Sequence, residues 1–246
     1  NFYLGILFAI PISFFAGYSL EYLVIRHLYK RDHMEQVLAT FGLILFFNEA
    51  IRVGFGPAAL HSNLPASLSG FVYILPEIPY PEFRLLVILV GFACAIGIHL
   101  LVSRTRLGAT VRAGASNAAM TAALGVNITR LRRLVFAIGA CFAGVAGMML
   151  GPLTSVEPGM GEPLLILSLV VIIIGGIGSV RGAFIAAIIV GMVDTMGRVM
   201  LPVILRSFME QASADGAGPA LASMMVYILM AVVLVFKPTG LFPPNR

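Results

Sequence analysis

Charge is what this sequence has least of. Only 11 per cent of its 246 residues are Asp, Glu, Lys or Arg, against roughly 25 per cent in an ordinary soluble domain. With 59 per cent hydrophobic residues and a mean hydropathy of +1.00, that scarcity excludes a typical soluble domain and places the chain among membrane proteins. Lysine occurs only as Lys30 in LYKRD and Lys237 in FKPTG, neither preceded by the glycines of G-x-x-x-x-G-K-[ST]. The chain therefore lacks the phosphate-cradling loop that would let it bind and hydrolyse ATP. Its two cysteines, Cys94 and Cys141, lie inside apolar runs, where a small buried hydrophobe is expected rather than a disulfide or metal ligand. The four histidines, His27, His33, His61 and His99, contain no i, i+4 pair that would converge on a metal, so no metal site is expected. There is no G-x-S-x-G elbow to anchor hydrolase chemistry. The net charge of +5 is spread between apolar blocks, which reads as membrane topology and not as a nucleic-acid-binding face.

What is present is a series of long apolar runs. They fall at about 2–24, 36–55, 85–102, 134–154, 164–177, 182–200 and 221–236, and runs of about 18 or more apolar residues are long enough to cross roughly 30 Å of hydrocarbon as helices. The expected fold is all-α, a polytopic bundle of about seven membrane segments forming a single transmembrane domain over residues 1–246. The fifth run is short and ends in GGIGSVRG, so it is expected to be broken or re-entrant, as irregular backbone is tolerated at membrane depth only against protein or a cavity. The first run has no basic region before it and is read as a membrane helix, not a signal peptide. Because the sequence starts at Asn1 and not at methionine, segments N-terminal to it are expected to be missing.

Twelve of the sixteen basic residues fall on one face if the seven segments alternate: Arg26, Lys30, Arg31, Arg104, Arg106, Arg112, Arg130, Arg132, Arg133, Arg181, Lys237 and Arg246. Arg52, Arg84, Arg198 and Arg206 are left at or near the other. The positive-inside rule then makes the first face, and the C-terminal KPTGLFPPNR, cytoplasmic. On that topology 56–84, with five prolines, Glu77 and Glu82, is an extended external loop. The region 201–220 is external too, with SADGAGPA a flexible connection, and 103–133 is a long cytoplasmic region.

That cytoplasmic region contains SNAAMTAALGVNITRLRR. Its first nine residues predict a short helix capped by Ser116 or Asn117 and stopped at Gly125. Such a helix, small on one side and flanked by arginines, suits docking into a partner's groove; the alternative is a loop whose arginines bind anionic lipid. Small residues spaced at four, Gly139, Ala143, Gly147 and Gly151, then Ala183, Ala187, Gly191 and Thr195, predict close helix packing within this chain or against a second copy. Three acids lie in apolar segments, where ionisable groups are expensive and functional by default: Glu21, Glu49 and Asp194. Asp194 and Arg198 are four apart and can pair, so an ion pair and a substrate contact are both open. Glu49 and Arg52 carry the same ambiguity, and Glu21 is near enough to the segment end to reach water.

Three stretches carry a family likeness. RTRLGATVRAGASNAAMTAALGVNITRLRRLVFAIGACFAGVAGMMLG, VVIIIGGIGSVRGAFIAAIIVGMVDT and KPTGLF resemble the permease subunits of ATP-driven (ABC) importers for branched-chain amino acids and related small amides, over roughly residues 20–240. The resemblance implies a multi-pass permease of the bacterial inner membrane, pairing with a second homologous permease, two cytoplasmic ATP-binding subunits that hold the ATP and magnesium, and a periplasmic or lipid-anchored substrate-binding protein. No cofactor is then expected in this chain, and no covalent chemistry. It further implies that residues 112–130 receive the ATPase stroke, with Arg112, Ser116, Asn117, Ala122, Ala123, Gly125 and Arg130 at the docking element. Candidate translocation-path residues are Glu49, Gly175, Gly176, Gly178, Ser179 and Asp194. The break at GGIGSVRG either exposes backbone groups to a substrate carboxylate or is a tight packing turn. The asparagine-phenylalanine-alanine-histidine-glycine motif usual in an N-terminal segment of the family is absent, in keeping with the expected truncation. A secondary transporter or channel, needing no partner, and a membrane scaffold are the competing readings.

Overall fold

The computed structural model describes residues 2–29, 31–60, 64, 68–75, 78–207 and 211–242. Lys30, His61, Glu77 and Arg246 lie outside them. Every predicted apolar run is a helix. Helix α1 (Phe2–Leu20) continues through a π-helical turn, Glu21–Ile25, into the short α2 (Arg26–Leu28), and is followed by α3 (His33–Phe55). After a hairpin come α4 (Glu82–Arg104), α5 (Arg106–Ser116), α6 (Ala118–Ala123), α7 (Ile128–Leu150), α8 (Gly161–Gly175), α9 (Val180–Leu205) and α10 (Gln211–Phe236). Among the described residues six helical stretches are long and apolar enough to span a membrane, and α8, at 15 residues, is a shorter apolar helix.

Polar residues set where several helices begin. Thr105, Asn117, Asn127 and Ser179 each precede a helix, and each side-chain oxygen accepts from the amide three residues on, those of Gly108, Met120, Arg130 and Gly182. This N-capping satisfies an amide that the helix itself leaves unpaired. Asn127 explains why α7 starts six residues before its apolar run: the basic residues Arg130, Arg132 and Arg133 form its first turns.

The chain forms two compact units, Asn1–Met160 and Gly161–Arg246. In the first, α1 and α7 lie against each other along most of their length. A Cβ at Gly17 would collide with Ala140, one at Gly144 with Ser13, and one at Gly5 would sit 2.8 Å from Met148 Cε. In the second, α9 packs between α8 and α10 around Val170, Ile174, Ala186, Val190 and Val226. A Cβ at Gly175 would lie 2.6 Å from the Ala183 nitrogen, and one at Gly197 3.1 Å from Ala222 Cβ. Small residues thus bring backbones close where no water is available to drive association.

Two connections differ from expectation. Within 56–84, β1 (Phe71–Leu75) and β2 (Ile78–Pro81) form an antiparallel hairpin pairing Phe71 with Pro81 and Val72 with Tyr80. Leu60 also bridges to Val156 through two backbone hydrogen bonds of 2.9 Å. The prolines do not prevent this ladder, because a two-stranded hairpin has only edge strands. The supposedly flexible SADGAGPA is instead the first part of α10. Glycine has a packing role there: a Cβ on Gly218 would stand 2.5 Å from Pro202 Cγ of α9, an approach that fixes this turn against its neighbour.

Candidate functional site

Helix α6 is held from both sides. Before it, the Arg112 guanidinium donates to the Val102 carbonyl at the end of α4, and Gly108 is buried so closely against that carbonyl that no side chain would fit. Arg112 therefore fixes α5 to α4. Asn117, not Ser116, is the cap of α6; Ser116 is the last residue of α5. After α6, the Gly125 amide bonds the Ala122 carbonyl (3.0 Å) and the Val126 amide bonds the Thr121 carbonyl (3.3 Å), with Gly125 at φ +87°. This is a Schellman stop, and a left-handed residue there favours glycine.

Thr121 is the buried residue of α6. Ala122, Ala123, Gly125 and Arg130 are exposed, and so are two large apolar residues not singled out from the sequence, Met120 at 62 per cent and Leu124 at 79 per cent. Their i, i+4 spacing was the available signal. Alanine methyls flanked by an exposed Met and Leu form a small apolar tip on an otherwise polar connection, the kind of surface that a partner covers.

The base of α7 carries the largest departure from the sequence reading. Glu21, expected to reach water, is fully buried. Its Oε2 accepts from Arg133 Nε at 2.8 Å. Arg133 also donates to Tyr18 Oη at 3.1 Å and stacks over the Tyr18 and Tyr22 rings at 5.0 and 4.7 Å. Arg132 lies 4.9 Å over Tyr29. Burial pushes the Tyr29 phenol above its ordinary value; the Glu21 charge adds to the rise and Arg132 opposes it. That phenol stays neutral at pH 7. The π-helical turn begins at Glu21 itself, and such insertions are often found at functional positions.

The GGIGS turn is closed by the chain's own tail. Gly176 and Gly178 have φ of +100° and +89°, and Ser179 caps α9. The Ile174 and Gly175 carbonyls accept from the Leu241 and Phe242 amides at 2.8 and 3.2 Å. Gly240, φ +86°, lies so near that its Cβ would be 2.5 Å from Gly176 Cα. Two carbonyls at this break are therefore engaged by KPTGLF.

Among the packing candidates, a Cβ on Gly139, Gly147 or Gly191 meets nothing within 4 Å, and Ala143 and Ala187 are exposed. Packing inside this chain runs one stripe away, through Ala137, Ala140 and Gly144 on α7 and through Gly182, Ala186, Val190 and Gly197 on α9. Glu49 and Arg52 approach to 3.8 Å on the surface of α3, both more than half exposed. Asp194 and Arg198 pair at 2.9 Å on α9. Among the described residues no group of three or more His, Cys, Asp or Glu side chains comes together to hold a metal.

Residues 1–234 match the family described as branched-chain amino acid transport system / permease component. The chain belongs to this family. Its curated relatives include a high-affinity branched-chain amino acid transport system permease protein, BraD, of Pseudomonas aeruginosa, 29 per cent identical over 92 per cent of this chain and 69 per cent of that protein. LivH of Escherichia coli is 24 per cent identical over 96 and 73 per cent of the two chains, and the probable LivH of Methanocaldococcus jannaschii 26 per cent over 95 and 73 per cent. No solved structure matches the chain significantly. Its relatives are permease proteins rather than enzymes, and six apolar helices of spanning length make this permease a multi-pass membrane protein.

Proposed function

We propose that the chain forms the translocation pathway of an ATP-driven importer of branched-chain or related amino acids in the inner membrane, with its C-terminus cytoplasmic. In this reading residues 1–246 act as one permease domain beside a second, homologous permease. Two separate ATP-binding subunits hold ATP and magnesium, and a periplasmic or lipid-anchored binding protein delivers the substrate. Supporting it most directly is α6: a short helix, capped by Asn117 and stopped at Gly125, offering Met120, Ala122, Ala123 and Leu124 outward.

Motion of an ATPase groove around α6 would pass into its supports. Helix α5 is tied to α4 by Arg112, and α7 is seamed to α1 by close packing and by Glu21–Arg133. A stroke at α6 would thus shift α1 and α7 together rather than bend the loop between them. Asp194 is favoured as a path residue over the Gly175–Ser179 turn, where the tail packs against Gly176 and takes the Gly175 carbonyl.

Replacing Ala122 or Gly125 by a bulky residue is expected to abolish ATP-dependent uptake in proteoliposomes while the permease still inserts; normal uptake would remove the docking assignment. Charge reversal at Arg130 alone is the cleaner companion, because reversing Arg133 also breaks its bond to Glu21. A secondary transporter or channel would purify without an ATP-binding protein and take up substrate without ATP.

A further inference from the structure

Asp194 is the fifteenth of the 26 residues of α9, close to mid-depth in a helix about 39 Å long. An ion pair at that depth faces protein or water, not lipid. Yet the Arg198 side chain is 51 per cent exposed and that of Asp194 22 per cent, and among the described residues each has only the other as a polar partner. One bond, from Arg198 Nε to Asp194 Oδ2, leaves the two terminal guanidinium nitrogens free.

The pair does not stand alone on its helix. Ala187, Gly191, Asp194 and Arg198 are spaced four, three and four residues apart, which places them on one face. That face lies beside the one α9 uses for packing, which carries Gly182, Ala186, Val190 and Gly197. Ala187 is exposed, and the space above Gly191 is open. A carboxylate and a guanidinium 2.9 Å apart thus stand next to a surface without bulk.

We propose that Asp194 and Arg198 bind the zwitterionic head of the transported α-amino acid during its passage. In such a substrate the ammonium nitrogen and the carboxylate carbon are roughly 2.5 Å apart, so both charges can reach a carboxylate and a guanidinium that lie side by side. The substrate carboxylate takes the free guanidinium nitrogens in a charge-assisted contact, and its ammonium takes Asp194. Pair and zwitterion are each neutral overall, so binding brings no net charge to bilayer depth. A molecule lacking either charge would leave one member of the pair unanswered. The open strip over Ala187 and Gly191 admits the substrate's apolar side chain. This inference rests on the amino-acid importer reading above.

The test uses the complete transport complex in proteoliposomes, with its ATPase subunits and binding protein, and L-leucine as probe. Asp194→Asn and Arg198→Gln are each expected to lower uptake at saturating L-leucine by about tenfold or more, with the binding protein's half-saturating concentration unmoved. The double variant carries a neutral Asn–Gln pair able to hydrogen-bond along the helix. It stays as impaired as the single variants if the pair meets substrate, and recovers if the pair only braces the helix; recovery overturns the proposal. Arg198→Lys keeps the cation and is expected to retain intermediate uptake. Loss of the second permease subunit on purification of the variants would make this face a subunit interface and overturn the proposal as well. If the wild-type complex takes up no L-leucine with ATP, the importer reading falls and takes this inference with it. Wild-type uptake with unimpaired variants sinks this inference alone.

Discussion

The two compact units hold their helices together by different means. In Asn1–Met160 an ion pair lies inside a helix seam: Glu21 and Arg133, 112 residues apart in sequence, meet at 2.8 Å with the carboxylate fully buried. In Gly161–Arg246 the seams are made of apolar side chains and close glycine contacts, and the ion pair, four residues apart on one helix, stands outside them. The Glu21–Arg133 pair of the first unit serves architecture, and the Asp194–Arg198 pair of the second is left available. A buried pair between distant helices is costly to break; a pair on one helix surface contributes little to holding that helix in place.

The strongest way to break this contrast is Glu21→Ala. It leaves the Arg133 guanidinium without its carboxylate inside the seam, and loss of most monodisperse permease on purification is expected. The double replacement Glu21→Met with Arg133→Met should recover folded material, since apolar side chains often substitute for a buried pair without loss. Equal yields for Glu21→Ala and wild type would show that the seam does not need the charge. In the second unit, Gly182→Val drives a side chain into the Gly175 carbonyl and should cost about 1–3 kcal/mol, as overpacking usually does, read as a lowered thermal midpoint. Asn117→Ala removes the α6 cap, at about 1 kcal/mol. Its signature is a small thermal shift with a larger fall in uptake, because the affected helix is the proposed docking element. Smallest of all is Glu49→Gln. With both partners more than half exposed, the change should stay within roughly 0.5 kcal/mol, and a measurable loss of stability would place α3 in a seam that this chain alone does not form.

The sequence shows the helices more readily than their seams. Seven apolar runs announce seven helices, and Asn117 and Gly125 bracket α6, because both signals are local. Which small residues pack is not a local property. On α7, Gly139, Ala143 and Gly147 and, one stripe away, Ala140 and Gly144 satisfy the same periodicity. Only the second set meets Gly17 and Ser13 of α1, a complementarity that lies in another helix. Glu21 is misleading for the same reason: its position near a helix end suggests water, and its partner lies in α7. The hairpin at 71–81 is obscured by its prolines. SADGAGPA has the composition of a turn yet is helix, and its Gly218 packs against Pro202 of a helix the composition does not reveal. The GGIGS break is visible as a break, but nothing near it in sequence tells that KPTGLF closes it.

That closure bears on how the protein is made. Helix α8 ends with two carbonyls whose partners, the Leu241 and Phe242 amides, are synthesised only after α9 and α10. As the chain enters the membrane, α8 and α9 can pair through Gly175 and Gly182, yet their junction stays open until residue 242 has left the ribosome. The last turn of α8 is thus completed only by a segment made two helices later, and a chain without Leu241 and Phe242 would lack these partners for its two carbonyls.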